Sequence, residues 1–241
     1  MKIAVLGGSF NPLHNGNVML AQKVMSEFHY DRIFFVPTFL PPHKQIVCGA
    51  SAEQRFEMVK NFCESFECGN YFVAEDCEIK RGGISYTYDT LVYLLQKYGA
   101  ECYNKDERIE GKIGLIMGEE IACEFEKWKN PEGICELAEL IIVPRVCDYS
   151  KNDVVSSKNK PTGNYLGDFA GQFDEKKLIY PHKMLSENVM AVSSTDIRNR
   201  IANQKEYKHL IPKEIYEYIE EKGIYKDLLT DEWFFLENLI I

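Results

Sequence analysis

The sequence predicts an α/β protein built on a Rossmann-like, doubly wound parallel sheet, with a small helical part near the C-terminus. Three observations point to this fold. An apolar run, a glycine-rich loop and an amphipathic helix open the 241-residue chain; a second apolar run follows at the spacing of a βαβ unit; and the same alternation continues downstream. Parallel strands joined by helices are therefore expected across the sheet.

The first βαβ unit spans the residues up to Pro37. Ile3 to Leu6 is a short apolar run that predicts a strand, and it ends at Gly7-Gly8-Ser9. Apolar residues recur at helical spacing from Val18 to Phe28, and the run from Arg32 to Pro37 predicts the next strand. The glycine loop therefore lies between a strand and the helix that follows it.

The alternation continues to residue 144. We predict a helix over 51–66 behind a Ser51 cap, an extended segment over 71–78, a helix over 88–98, and strands over 112–117 and 140–144. Pro144 ends the last strand, because proline fixes φ and has no N–H donor.

The C-terminal part of the chain is less regular. Residues 148–177 are rich in Lys, Asn, Ser and Gly and are predicted as an irregular excursion rather than a domain boundary. One helix is predicted from a Ser193-Ser194-Thr195 cap through Ala202, and another over 212–222. We therefore predict one domain over 1–226, followed by an apolar tail over 227–241 that is typical of a packing or interface helix.

Charge composition narrows the class of partner. The chain has 37 acidic and 28 basic side chains and a formal net charge of −9, and such a field repels polyphosphate backbones at long range. No nucleic-acid or membrane partner is therefore expected. A small phosphorylated ligand stays compatible with this charge, because local amides and cations act within a Debye length of about 8–10 Å.

The cysteines indicate a reducing compartment. Eight are scattered along the chain without a Cys-x-x-Cys pair or a histidine at zinc spacing, so free thiols and no protein metal site are expected. No apolar run approaches the roughly 20 residues that span a bilayer. Both observations favour the cytoplasm.

The oligomeric state is not decided by the sequence, and a homo-oligomer is one alternative. The apolar tail packs either against the monomer's own core or in a subunit interface.

The densest chemical signal is the loop from Gly7 to Asn17. Glycines there let the backbone approach a ligand, and the N-terminus of the next helix presents amides to a phosphate. The loop lacks both G-x-G-x-x-G and the Gly-Lys-Ser/Thr ending of a P-loop. His14 and Asn17 are three residues apart on one face of the helix start, where two side chains can flank a phosphorus; alternatively, His14 only caps or packs.

These residues resemble a known family. The loop is similar to the G-G-x-F-x-P-x-H-x-G-H signature of the nucleotidyltransferase superfamily, and Val192 to Arg198 resembles its second signature, I-S-S-T-x-x-R. Between them lie segments that resemble motifs of bacterial nicotinate mononucleotide adenylyltransferase: Pro41-Pro42-His43-Lys44, Ser85 to Leu91, Gly118 with Glu120, and Trp128-Lys129. The resemblance runs from residue 1 to about residue 226.

The resemblance implies a reaction and its binding residues. The adenylyl group of ATP passes to nicotinate mononucleotide, giving deamido-NAD and pyrophosphate in NAD biosynthesis, without a covalent enzyme intermediate; Mg²⁺ arrives with the triphosphate. The implied ATP-binding residues are Gly8, Ser9, Phe10, His14, Gly16, Gly118, Glu120, Ser193, Ser194, Thr195 and Arg198. The implied nicotinate mononucleotide-binding residues are His43, Lys44, Ser85, Tyr86, Thr87 and Trp128. The implied catalytic residues are His14, Asn17, Lys44 and Arg198.

Several implied roles have a purely structural alternative. A Ser-Ser-Thr string is most often a plain helix cap, Trp128 is the kind of aromatic that usually packs in a core, and His43-Lys44 also fits a solvated loop pair.

For Arg198 the resemblance implies a functional role, in which its fork of donors would clamp the β and γ phosphates of ATP.

Two positions depart from the family pattern. Asn17 stands where the family has the final loop histidine, and asparagine can donate a hydrogen bond but carries no charge. Loss of one such donor typically costs about 2.7–4 kcal/mol, or roughly 10²–10³ in rate. Glu120 stands where the family has aspartate, a milder change. Two alternatives to the implied activity stay open. One is an inactive nucleotide-binding protein of the same fold, in which Asn17 has ended turnover, and the other is an adenylyltransferase that uses nicotinamide mononucleotide as acceptor.

Overall fold

The computed structural model describes residues 1–42, 49–65, 71–99, 101–102, 104–144, 178–186 and 192–226. The predicted excursion over 148–177, the tail over 227–241 and the pair His43-Lys44 lie outside these ranges.

A parallel sheet forms the centre of the described fold. Its strands are β1 (Ile3–Gly8), β2 (Arg32–Pro37), β3 (Phe72–Ala74), β4 (Ile113–Gly118), β5 (Ala138–Val143) and β6 (His182–Met184). They lie in the order β3-β2-β1-β4-β5-β6, and the paired strands all run parallel. This order is that of a doubly wound Rossmann-like sheet, so the predicted fold class is confirmed.

Helices follow the strands and cover both faces of the sheet. They are α1 (Asn15–Phe28), α2 (Ala52–Ser65), α3 (Cys77–Arg81), α4 (Thr87–Tyr98), α5 (Glu119–Ala122), α6 (Pro131–Leu137), α7 (Ser194–Ala202) and α8 (Lys213–Lys222). In the described part of the chain, no helix is long and apolar enough to pass through a bilayer.

The core divides into two layers because successive side chains of a strand point to opposite faces. In β1, Ala4 and Leu6 pack in a layer with α1, α2, α7 and α8, whereas Ile3 and Val5 pack in the other layer with α4 and α6. All four side chains are buried. Since helices cover both faces, the strand ends are the part of the sheet left for a ligand.

Most element predictions are confirmed to within a few residues. The helix predicted over 51–66 begins at Ala52, and Ser51 is its cap: the Ser51 hydroxyl accepts from the Gln54 amide at 3.2 Å, while the Gln54 side chain accepts from the Ser51 amide at 2.9 Å. This reciprocal pair is a capping box. The two C-terminal helices begin and end where the cap residues predicted.

The extended segment predicted over 71–78 is wrong in its second half. Only Phe72–Ala74 is a strand, and Cys77 begins the five-residue helix α3. Asp76 is the N-cap residue of α3. Its carbonyl accepts a hydrogen bond from the Lys80 amide at 2.9 Å, and its carboxylate forms an ion pair with the Lys80 ammonium. A five-residue helix is too short to show a helical period. The strand-like residues before it therefore led to an extended prediction for the whole segment.

Helices α5 and α6 and strand β6 were also not predicted. Helix α6 carries a readable start signal, because Asn130 caps it through the Gly133 amide and Pro131 occupies its first turn. Strand β6 has only three residues, two of them polar, and its pairing with β5 rather than its own sequence defines it. The described cysteines (Cys63, Cys77, Cys102, Cys123 and Cys135) are free thiols, as predicted.

Candidate active site

The candidate site lies where the strand order reverses. The strands β1 and β4 are neighbours at the centre of the sheet, and their chain connections leave in opposite directions. They end at Gly8 and Gly118, each followed by a helix start. In open parallel sheets, ligands bind at this carboxyl edge. The sequence-predicted glycine loop and the Gly118-Glu120 segment both lie there.

His14 and Asn17 form the start of helix α1. His14 is the N-cap residue and is 7% exposed. Its Nδ1 accepts a hydrogen bond from the Asn17 amide at 3.2 Å, and the Asn17 Oδ1 accepts from the His14 amide at 3.2 Å. Both side chains therefore cap the helix reciprocally. Since Nδ1 is an acceptor, the ring proton of the neutral imidazole is on Nε2.

The glycine loop is held through its carbonyl groups. The Ser9 carbonyl accepts from the Arg55 guanidinium at 2.6 Å, the Asn11 carbonyl accepts from Arg198 at 2.8 Å, and the Pro12 carbonyl accepts from the Ser194 hydroxyl at 2.9 Å. The three donors come from helices α2 and α7. These contacts fix the loop backbone from two distant parts of the chain.

The Asn11 side chain is a second anchor of the loop. Its Oδ1 accepts from the Tyr225 hydroxyl at 2.7 Å and from the Ala50 amide at 3.3 Å. Burial raises the pKa of Tyr225, which keeps the hydroxyl protonated and able to donate. Gly49 completes the packing: it has φ +132°, and a Cβ there would lie 2.7 Å from the Tyr225 ring. A glycine is therefore required at this position.

Helix α7 brings the second predicted motif onto the first. Ser193 is the N-cap, with its hydroxyl 3.5 Å from the Asp196 amide. Ser194 contacts the glycine loop, as described above, and the Arg198 guanidinium also donates to the Thr195 hydroxyl at 3.1 Å. The helix-cap interpretation thus applies to Ser193, whereas Ser194 and Arg198 bridge some 180 residues of sequence to reach the loop.

Three of the residues predicted to bind the acceptor, Ser85, Tyr86 and Thr87, lie together at the start of α4. Ser85 is buried, and its hydroxyl accepts from the Phe39 amide at 3.1 Å. Its own amide donates to the Leu40 carbonyl at 2.8 Å. Tyr86 is the N-cap of α4, and Thr87 is the first helical residue. The segment after β2 is therefore joined to the start of α4.

Trp128 lies in the segment beside the start of α4. Its neighbour Lys129 lies 4.7 Å from the centroid of the Tyr86 ring and pairs with the Asp89 carboxylate at 2.8 Å. The Trp128 ring is half-buried and packs against Phe125 with centroids 5.3 Å apart. One face of the indole thus has the packing role that its residue type suggests.

A buried polar network lies behind the acceptor residues and was not predicted. The Thr90 hydroxyl donates to the Glu78 carboxylate at 2.6 Å, and Arg81 lies 3.2 Å from the same hydroxyl oxygen. Burial raises the pKa of Glu78, while hydrogen bonds from Thr90 and Ser85 and the charges of Arg81 and Arg55 act in the opposite direction. Glu78 is a polar residue inside a helix too short to be predicted.

Glu120 lies in the first turn of α5, directly after the carboxyl end of β4, and is half-buried. Within the described ranges, no group of three or more His, Cys, Asp or Glu side chains is arranged to hold a metal ion.

Comparison with known proteins identifies the family. Residues 5–200 match the model of the cytidylyltransferase-like family. The chain belongs to the cytidylyltransferase-like family. A probable nicotinate-nucleotide adenylyltransferase of Treponema pallidum (strain Nichols) is 32% identical over 226 residues, which cover 94% of this chain and all of that protein. Another from Borreliella afzelii (strain PKo) is 29% identical over 225 residues, or 93% of this chain and 97% of the relative.

Solved structures show the same fold. The nicotinic acid mononucleotide adenylyltransferase of Plasmodium falciparum, complexed with NaAD, superposes with a TM-score of 0.63 at 17% identity and covers 93% of this chain and 97% of its own. Within the cytidylyltransferase-like family, the chain is thus related to the nicotinate-nucleotide adenylyltransferases, and the predicted resemblance is confirmed.

The structure brings most of the predicted residues of this family member to one edge of the sheet. The predicted ATP residues of the glycine loop and of α7 come together through contacts between these two segments, and Ser85, Tyr86 and Thr87, predicted to bind the acceptor, lie at the start of α4. His43 and Lys44 lie outside the described residues. The residues that sequence reasoning missed are Asn11, Arg55, Glu78 and Tyr225, which act on backbone or on other side chains and so carry no motif of their own.

Proposed function

We propose that the protein transfers the adenylyl group of ATP to nicotinate mononucleotide, forming deamido-NAD and pyrophosphate. The observation that carries this proposal is the contact of Ser194 and Arg198 with the carbonyls of the glycine loop at the carboxyl edge of the sheet. Two sequence motifs from opposite ends of the chain are thereby in contact, which supports one shared phosphate-binding region. The names of the relatives support the same activity.

The chemistry needs positioning and charge stabilisation rather than a covalent intermediate. A 5′-phosphate oxygen of the acceptor attacks the α-phosphorus of ATP, and the bond from that phosphorus to the bridging oxygen breaks as pyrophosphate leaves. The Nε2–H of His14 is our proposed donor to a phosphate oxygen, since Nδ1 is engaged by the Asn17 amide. The amides at the start of α1 and α7 add to the positive field at the phosphates.

Asn17 is proposed to act as a neutral donor beside the α-phosphate. Its Oδ1 accepts from the His14 amide, so the Nδ2 group is the part of the side chain that can donate. An amide donor provides a hydrogen bond without the charge of an imidazolium. We therefore propose an active enzyme whose rate rises on Asn17→His.

The acceptor is proposed to bind at the start of α4. Tyr86 and Thr87 begin the helix beside the Trp128-Lys129 segment, and the indole is proposed to stack on the pyridine ring of nicotinate. His43 and Lys44 are proposed to contact its phosphate.

Mg²⁺ is proposed to arrive with the triphosphate. Magnesium commonly takes most of its ligands from substrate phosphates and water, with one or two carboxylates. The half-buried Glu120 carboxylate at the end of β4 fits this limited demand. The ion neutralises phosphate charge when bound. We further assign residues 1–226 to one catalytic domain and the protein to the cytoplasm.

A pyrophosphate-release assay tests the proposal. The wild-type protein with ATP and Mg²⁺ is expected to release pyrophosphate when nicotinate mononucleotide is added, and less when nicotinamide mononucleotide replaces it. Faster release with the nicotinamide form would reassign the acceptor. Asn17 also favours a second candidate, a nucleotide-binding protein without turnover. That candidate predicts that ATP raises the melting temperature while neither acceptor gives pyrophosphate, and that Asn17→His restores release.

A further inference from the structure

Arg55 is a buried cation whose hydrogen bonds to described residues go to backbone carbonyls, while the Glu53 and Glu78 carboxylates act on it only through their charge. It lies in helix α2 and is 7% exposed. Its guanidinium donates to two backbone carbonyls, and among the described residues it forms no ion pair. A buried charge is costly unless it is compensated, and backbone carbonyls compensate it less fully than a carboxylate does. Its position therefore calls for an explanation beyond packing.

The two carbonyls belong to the two halves of the site. One is the Ser9 carbonyl of the glycine loop, at 2.6 Å. The other is the Phe39 carbonyl, at a longer 3.4 Å. Phe39 is itself bound to the acceptor side, since its amide donates to the Ser85 hydroxyl and the next carbonyl, that of Leu40, accepts from the Ser85 amide. Arg55 thus joins the proposed ATP loop to the proposed acceptor segment.

The guanidinium suits this connection because it is planar and forked. Its two terminal nitrogens point to different acceptors at a fixed spacing. A lysine ammonium carries the same charge but concentrates its donors on one nitrogen at the end of a flexible stem. A lysine in place of Arg55 is therefore expected to keep the charge without the fixed spacing between the two acceptors.

We propose that Arg55 is a positioning residue that fixes the distance between the two substrates. It does so by joining the glycine loop to Phe39, which is in turn hydrogen-bonded to Ser85. The proposal rests on the proposed adenylyl transfer, in which an acceptor oxygen must meet the α-phosphorus in line. Reactions of this kind depend steeply on alignment, and a misplacement of about 1 Å can cost roughly 10² in rate. Each substrate still keeps its own binding contacts when the tie is lost.

The test compares Arg55→Lys and Arg55→Met with a matched control, Arg108→Met. Arg108 also donates to a backbone carbonyl, that of Cys102 at 3.0 Å, but it precedes β4 at the amino edge of the sheet. Both Arg55 variants are expected to lower kcat by roughly 10–100-fold while the KM of each substrate changes less than about 3-fold. The control is expected to keep both constants near wild type.

Hydrogen–deuterium exchange provides a readout that does not need turnover. Peptides covering residues 8–14 and 37–42 are expected to exchange faster in both Arg55 variants and at the wild-type rate in Arg108→Met. A raised KM with unchanged kcat, or exchange that is unchanged in these two peptides, would overturn the proposal. If the wild-type protein releases no pyrophosphate, the proposed function fails, and the exchange result alone decides whether Arg55 ties the two segments.

Discussion

The anchor formed by Asn11 and Tyr225 leads to a quantitative prediction. In Tyr225→Phe, Asn11 loses one hydrogen bond but its Oδ1 keeps the Ala50 amide as a donor. The net loss is that of an ordinary internal hydrogen bond, about 0.5–1.5 kcal/mol in the free energy of unfolding. In Asn11→Ala, the Tyr225 hydroxyl and the Ala50 amide both lose their acceptor. Each buried donor left without a partner costs about 1–3 kcal/mol, so the variant is expected to lose about 2–6 kcal/mol.

Urea unfolding followed by circular dichroism measures the two losses, and a shift of the midpoint at constant m-value reports them directly. The site should respond as well, because the carbonyl of Asn11 holds Arg198. We expect the KM for ATP to rise in Asn11→Ala. Tyr207→Phe is the control: its hydroxyl donates to the Glu220 carboxylate at 2.6 Å, outside these loop contacts, so stability falls and the KM stays unchanged. If Asn11→Ala destabilises the protein no more than Tyr225→Phe, the anchor argument is refuted.

Three other perturbations have defined outcomes. Ser194→Ala should raise the KM for ATP more than Ser193→Ala, because only Ser194 donates to the glycine loop; steady-state kinetics of both variants decides this. Burial raises the folded-state pKa of Glu78 above its usual 4.5, so its contribution to stability is present at low pH and is lost as the pH rises above that value. As the pH rises above 4.5, the unfolding free energy of Glu78→Gln should therefore fall less than that of the wild type. If both proteins lose stability with pH at the same rate, the raised pKa of Glu78 is contradicted. With a thiol reagent at pH 8, exposed Cys123 should react at once and buried Cys77 slowly, since burial raises the pKa of Cys77 to about 12; equal rates would contradict the burial.

The fold was predictable because its signals are local. Strand β1 is a continuous apolar run and helix α1 has apolar residues at helical spacing, and the glycine loop between them marks the connection. The right-handed crossover rule then leaves few arrangements for the parallel strands. The elements that escaped prediction are short. Helix α3 and strand β6 have five and three residues, and tertiary contacts rather than periodicity define them.

The candidate site was predictable only as far as its motifs reach. His14, Ser194 and Arg198 belong to residue patterns, so their proximity to the loop follows from the family resemblance. Arg55 and Tyr225 belong to no pattern, because they bind a carbonyl and an amide oxygen that any residue order can provide. Such contacts depend on which helices pack beside the loop, and a single sequence does not contain that information.

The capping box explains how asparagine can occupy the position where the family has histidine. A side chain at position 17 accepts a hydrogen bond from the His14 amide at the start of helix α1, and in the proposed reaction it also presents a donor to the phosphate. Asparagine meets both demands, with its carbonyl oxygen and its amino group; a histidine does so with Nδ1 and a protonated Nε2. The helix start and the His14 tautomer are therefore compatible with either residue. The difference between them is confined to charge and reach at the phosphate, so we expect the substitution to alter kcat rather than the fold.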